Sequence, residues 1–289
     1  MENKNAKSIV RRYKIEKLII VFLFYIICFA VLILTDLNIG IEILVFLVYF
    51  FLLNKINCWL SICNFHEIIY NDLDSELFND IINCLGKNRK ISELWYVQSF
   101  YFIGDYRNMV SLCSESMKSD KRKVFQFTYL FMLAEVYFEL GEKEKLKYTC
   151  EKIDLLASDK TTFKQKFFGI LRFIFLGINE NKTLKVIFKN IKFFESYLEG
   201  DLQECITMLD KRKRKTNYQN VNKDLSLAII YYRSGDMTQS KMLFEEIIQK
   251  APKMNFAKIS QKYLEAIENS AGIDVSFSDM LQPQSDELS

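Results

Sequence analysis

Residues 221–252 read VNKDLSLAIIYYRSGDMTQSKMLFEEIIQKAP, and they specify two helices joined by a tight turn. Leu227 and Ala228 set a large residue beside a small one on the first helix, Tyr231 stands one turn later, and Gly235-Asp236 interrupts the run. Glycine can take the left-handed conformation that ends a helix, and aspartate can cap the helix that follows. Phe244 gives the second helix an aromatic to pack, and Pro252 ends it. Small residues one turn apart let two antiparallel helices approach closely. A single such pair leaves an apolar face uncovered, so it needs neighbours of its own kind.

Those neighbours lie upstream. FYFIGDYRNMVSLC around Gly104, VYFELGEKEKLKYTC around Gly141 and SYLEGDLQECITML around Gly200 share the order of aromatics, glycine, polar residues and a second apolar helix. The glycines at 104, 141, 200 and 235 are 37, 59 and 35 residues apart, and two of these intervals fall near a 34-residue period. On Leu227, Ala228, Tyr231, Gly235-Asp236, Phe244 and Pro252 the chain resembles the tetratricopeptide repeat family. It departs from that family at Ser240, where alanine is usual, and at Asp224, near the usual tryptophan. The copy around Gly141 keeps Leu133, Ala134, Tyr137 and Ile153 but has Cys150 for the aromatic. The resemblance covers about residues 90–270 and implies an all-α solenoid of antiparallel helix pairs, with a concave groove that takes a protein or peptide. The 59-residue interval does not fit a simple array: residues 161–177 and the stretch up to Gly200 supply two first-type helices, either an irregular insertion or a change of register.

Composition agrees with helices. Half of the 289 residues are hydrophobic, enough for a sizeable core, and only 2 prolines and 9 glycines are present, too few for the many turns of an all-β fold. The net charge is +3, and beyond residue 54 it is +1, so no general nucleic-acid partner is expected. The odd number of cysteines, 7 without paired spacing, fits a reducing compartment. Richness in Asn, Lys and Ile is what an AT-rich bacterial genome produces.

The other deciding feature is N-terminal. Leu18 to Leu34 holds 17 residues without charge or glycine, roughly 25 Å of helix, and Ile43 to Leu53 forms a second apolar run after the link TDLNIG. This pattern predicts a transmembrane helical hairpin over residues 18–54. Lys4, Lys7, Arg11, Arg12, Lys14 and Lys17 precede it, whereas the link region has acids only, so the N-terminus and everything past Lys55 belong on the cytoplasmic side of the cell membrane. A cleaved signal peptide lacks its small-residue site here, and Glu42 leaves open a buried core helix for the second run. The expected organisation is a basic N-terminus (1–17), two spans (18–54), a helical connector (55–89), the repeat domain (90–270) with a capping helix near residues 257–266, and a polar, frayed tail (271–289).

No phosphate loop, nucleophile elbow, dinucleotide fingerprint or HExxH occurs, and His66 is the single histidine, so neither an enzyme nor a cofactor is expected. Cys58, Cys63 and His66 have metal-ligand chemistry but lack a fourth donor, and their apolar context favours packing. Aromatic groups such as Phe125, Phe127, Tyr129 and Phe131, or Phe167, Phe168, Phe173 and Phe175, read as core rather than base-stacking platforms. Candidate groove residues are Tyr101, Glu135, Glu139 and Arg233. The basic run Lys211-Arg212-Lys213-Arg214-Lys215 sits at a helix end, either solvated there or touching anionic lipid or an acidic partner. The expected function is a membrane-tethered scaffold or adaptor; the alternative is an assembly or regulatory subunit of a membrane transport or secretion complex.

Overall fold

A computed structural model describes residues 2–34, 48, 53, 65, 67–85, 90–119, 123–158, 180–213 and 215–281. Among these the chain is all-helical, with no strand. Its α-helices are α1 (Glu2–Leu34), α2 (Glu67–Tyr70), α3 (Ser75–Leu85), α4 (Lys90–Ile103), α5 (Tyr106–Ser119), α6 (Lys123–Glu139), α7 (Lys143–Ser158), α8 (Glu180–Glu199), α9 (Leu202–Asp210), α10 (Asn217–Ser234), α11 (Met237–Lys250) and α12 (Asn255–Glu268). A 3-10 turn, Ser278–Leu281, follows.

All four repeated glycines adopt the left-handed conformation expected of them, with φ of 79°, 71°, 83° and 85° at Gly104, Gly141, Gly200 and Gly235. Each joins two helices that pack on one another: α4 on α5, α6 on α7, α8 on α9, and α10 on α11. The aspartates after three of these glycines cap the following helix. Asp105 accepts from the backbone N–H of Asn108 at 3.2 Å, Asp201 from Glu204 at 2.9 Å and Asp236 from Gln239 at 3.1 Å. Such a cap contributes about 1 kcal/mol. Glu142 replaces the aspartate after Gly141 and is instead bonded to Ser276 and paired with Lys145.

The departures from the tetratricopeptide pattern find local explanations. Ser240 is fully buried, and its hydroxyl donates to the Ala228 carbonyl at 3.0 Å, so the hydroxyl has a partner across the helix pair. Asp224 pairs with Lys250 at 3.6 Å. Cys150 is buried in place of an aromatic, and Phe244 stacks on Tyr263 of α12 with ring centroids 4.9 Å apart and planes at 11°.

The stack does not remain an open curve. α12 reaches back across the chain to α4: the Lys258 ammonium donates to the Ile103 carbonyl at 2.6 Å, and the Lys253 ammonium pairs with Asp74 at 2.6 Å. Tyr218 of α10 packs edge-on against both Tyr70 of α2 and Phe102 of α4. The segment after Ser270 also differs from the free tail expected of its polarity. Phe277 is buried against Tyr263, its backbone N–H donates to the Leu140 carbonyl at 2.9 Å, and Lys143 pairs with Asp274. The apolar Phe277 within an otherwise polar stretch provides the anchor.

α1 has two halves. Ala6 and Val10 are buried, Tyr13 packs on Phe65 with ring centroids 4.8 Å apart, and α1 lies on α3, so the expected basic N-terminus is a docked helix. Beyond it, Leu18, Phe22, Tyr25, Ile27 and Phe29 are each 60–69% exposed. Among the described residues no helix is long and apolar enough to cross a membrane, so the expected hairpin is not a feature of the described fold. The uncharged part of α1, Leu18–Leu34, has 17 residues, and most of the second apolar run lies outside the described residues. Also outside them are Cys58, Cys63, His66, the irregular segment 159–179 with its phenylalanines, and Arg214.

Candidate functional site

α6 carries the two carboxylates expected to face a groove, Glu135 and Glu139, one helical turn apart on the same face. The structure brings Glu139 together with Tyr101, another expected groove residue: the Tyr101 hydroxyl donates to Glu139 Oε1 at 2.5 Å. Both are buried, at 4% and 3% exposure. Tyr106 at the start of α5 also bonds the Glu139 carboxyl and accepts from Asn255 Nδ2 of α12 at 3.1 Å. From the same helix the Tyr263 hydroxyl donates to the Glu139 backbone carbonyl at 3.2 Å. Tyr101 and Glu139 therefore converge, and Asn255 and Tyr263 of α12 lie over them.

Among the described residues no cation pairs with Glu139. Burial pushes its carboxyl well above the ordinary 4.5, the charge of Glu135 adds to the rise, and the bonds from Tyr101 and Tyr106 oppose it. Its Oε2 has no hydrogen-bond partner among the described residues, so burial favours the protonated form. Glu135 is partly exposed, and burial raises it to about 7 against the pull of Arg212. Tyr101, Tyr106, Tyr218 and Tyr263 are held far above 10, first by burial and then by neighbouring Glu or Tyr charge. The bonds from the Tyr101 and Tyr263 hydroxyls to Glu139 latch α4, α6 and α12 together.

Arg233, the fourth expected groove residue, is partly exposed and lies elsewhere on α10. Its guanidinium sits 4.2 Å from the Tyr197 ring centroid and bonds the Tyr197 hydroxyl, while Nη1 has no partner among the described residues. The basic run separates by direction. Lys211, Lys213 and Lys215 are exposed, whereas Arg212 turns inward, 5.0 Å above the Phe193 ring and within the field of Glu135. Lys211 is the C-cap of α9, where its charge complements the helix end.

Sequence patterns did not single out Tyr106, Tyr218, Asn255 or Tyr263. The only local signal is Tyr106, placed directly after the Gly104-Asp105 turn. The others acquire their roles from helices 116 to 149 residues away in sequence. Among the described residues no group of three His, Cys, Asp or Glu side chains is arranged to hold a metal ion. Compared with family models, curated proteins and solved structures, the chain has no match.

Proposed function

We propose that the chain is a membrane-tethered protein–protein interaction scaffold built on tetratricopeptide-like helix pairs, its N-terminus and repeat domain cytoplasmic. The strongest support is the seating of α12. Asn255, Lys258 and Tyr263 meet Tyr106, Ile103 and Glu139 as a bound amphipathic helix would, so the inner side of the stack has the chemistry to grip a helix. A partner helix of similar pattern enters by competing with α12, or docks beside it through the partly exposed Glu135 and Arg233. The tether rests on the uncharged run 18–34, in which Leu18, Phe22, Tyr25, Ile27 and Phe29 are exposed beyond a helix base fixed on α3. In that setting Lys211, Lys213 and Lys215 face either the anionic leaflet or an acidic partner.

The test is a crosslinking pull-down from intact membranes with the full chain and with a chain lacking residues 90–270. A scaffold loses its partners with that segment; recovery of the same partners without it would remove the proposal. The exposure of Leu18, Phe22, Tyr25, Ile27 and Phe29 favours a second reading, a subunit that assembles with other membrane proteins through its apolar helix. Replacing residues 18–53 by an unrelated hairpin separates the two, because a subunit loses its partners and a scaffold keeps them.

A further inference from the structure

Where α1 leaves α3, the two helices frame a cavity of about 610 Å³ lined by Lys7, Val10, Arg11, Lys14, Ile15, Leu18 and Cys84. Lys7, Arg11, Lys14 and Leu18 follow one another at intervals of four, three and four residues, which puts all four on a single stripe of the helix. The stripe changes character along its length. Three cations come first, and the apolar wall of Ile15 and Leu18 follows, with Leu18 about 16 Å along the axis from Lys7. Among the described residues no carboxylate pairs with Lys7, Arg11 or Lys14, including Glu76 and Asp80 of α3. By contrast Arg12, on another face, is held by Glu16 at 2.8 Å.

Lys7, Arg11 and Lys14 line the mostly apolar cavity without an ion pair among the described residues, and cations so placed fit an anion at its rim. An apolar wall continuing from them into the exposed run fits an acyl chain attached to that anion. We infer that this cavity is a headgroup site for an anionic phospholipid, with its phosphate held by Lys7, Arg11 and Lys14 and the start of its acyl chain lying along Ile15 and Leu18. The inference rests on the membrane tether proposed above. It adds a lipid class and a specific site, and it makes the lipid a wedge that sets α1 against α3. Each base near an anionic surface contributes about fivefold in relative affinity, so the three together give about a hundredfold preference over a zwitterionic lipid.

The full chain is purified from membranes containing phosphatidylglycerol and phosphatidylcholine, and the lipids retained with it are measured. Phosphatidylglycerol should be enriched with the wild type. K7Q/R11Q/K14Q should lose that enrichment at least tenfold, while K147Q/K189Q/K241Q, which removes three exposed lysines on other helices, should keep it. In parallel, alkylation of Cys84, followed by peptide mass spectrometry, should slow in phosphatidylglycerol nanodiscs relative to phosphatidylcholine nanodiscs for the wild type, and not for K7Q/R11Q/K14Q. Equal retention of both lipids, or equal loss in both triple variants, overturns the site. Protection of Cys84 by inorganic phosphate as strong as that by phosphatidylglycerol overturns it in favour of a soluble anion. Carbonate extraction gives the independent control: release of the chain from membranes sinks the tether and the lipid site together, whereas retention without anionic preference sinks the lipid site alone.

Discussion

Raising the pH from 5 to 8 should destabilise the folded chain through Glu135, and Glu135→Gln should remove that part of the loss. The folded carboxyl sits at about 7 because burial disfavours its charge, whereas the unfolded one ionises near 4.5. Between those values the unfolded state has given up a proton that the folded state keeps. Stability therefore falls as pH rises from about 4.5 and levels off above about 7. At about 1.4 kcal/mol per pH unit the full loss is about 3 kcal/mol, a ceiling because part of the Glu135 side chain remains in solvent. For a chain of this size that corresponds to a melting point lower by about 6–12 °C. Burial raises the Glu139 carboxyl as well, so it adds to the loss in the same direction. The assay is thermal melting of the full chain in mild detergent at pH 5, 6, 7 and 8, followed by helical circular dichroism. Glu135→Gln should leave the pH 5 melting point nearly unchanged and flatten the curve between pH 5 and 7. Parallel curves for the two proteins would refute the placement of Glu135 beneath the covering helices.

Gly141 and Gly235 share a left-handed backbone, but a Cβ at Gly141 would lie 2.3 Å from the Val275 carbonyl oxygen, whereas one at Gly235 meets nothing within 4 Å. Gly141→Ala should therefore cost about 2–4 kcal/mol and Gly235→Ala only about 1 kcal/mol in denaturant titrations, since strain and overpacking add at the first site alone. Phe277→Ala should cost about 3 kcal/mol and release the Phe277 N–H from its bond to Leu140, which hydrogen exchange at that amide would report. Ser240→Ala should change stability by no more than about 1 kcal/mol, because the hydroxyl and its single bond leave together; a loss above 2 kcal/mol would mean that the Ala228 carbonyl needs that donor. Cys113, Cys150 and Cys205, each pushed up to about 12 chiefly by burial, should resist alkylation at pH 8 in the folded chain and react fully in denaturant.

The helix pairs were legible in the sequence because their specification is local. A glycine that ends one helix and an aspartate that caps the next, as at Gly104-Asp105, Gly200-Asp201 and Gly235-Asp236, act within five residues of chain. Closure of the stack was not legible. It depends on how small rotations between successive pairs accumulate, and on contacts such as Asn255 to Tyr106, 149 residues apart. For the same reason Tyr101 and Glu139 were expected on an open groove, whereas both are buried, because the helix that covers them lies more than a hundred residues further along the chain. The basic run shows the limit of reading charge as a block, since Arg212 points inward beneath a sequence that treats all five residues alike. Phe277 shows the converse: one buried ring outweighs the polarity of its neighbours.

The return of α12 and Phe277 to α4, α5 and the Gly141 turn also orders events on the ribosome. Translation delivers roughly 5–20 residues per second, so the surface around Tyr106, Glu139 and Leu140 waits on the order of ten seconds for the residues that finish it. During that interval the nascent chain displays a sticky helical face beside an apolar N-terminal helix. Early targeting to a lipid surface, or a chaperone that shields the unfinished array, would then decide how much of the newly made protein survives to fold.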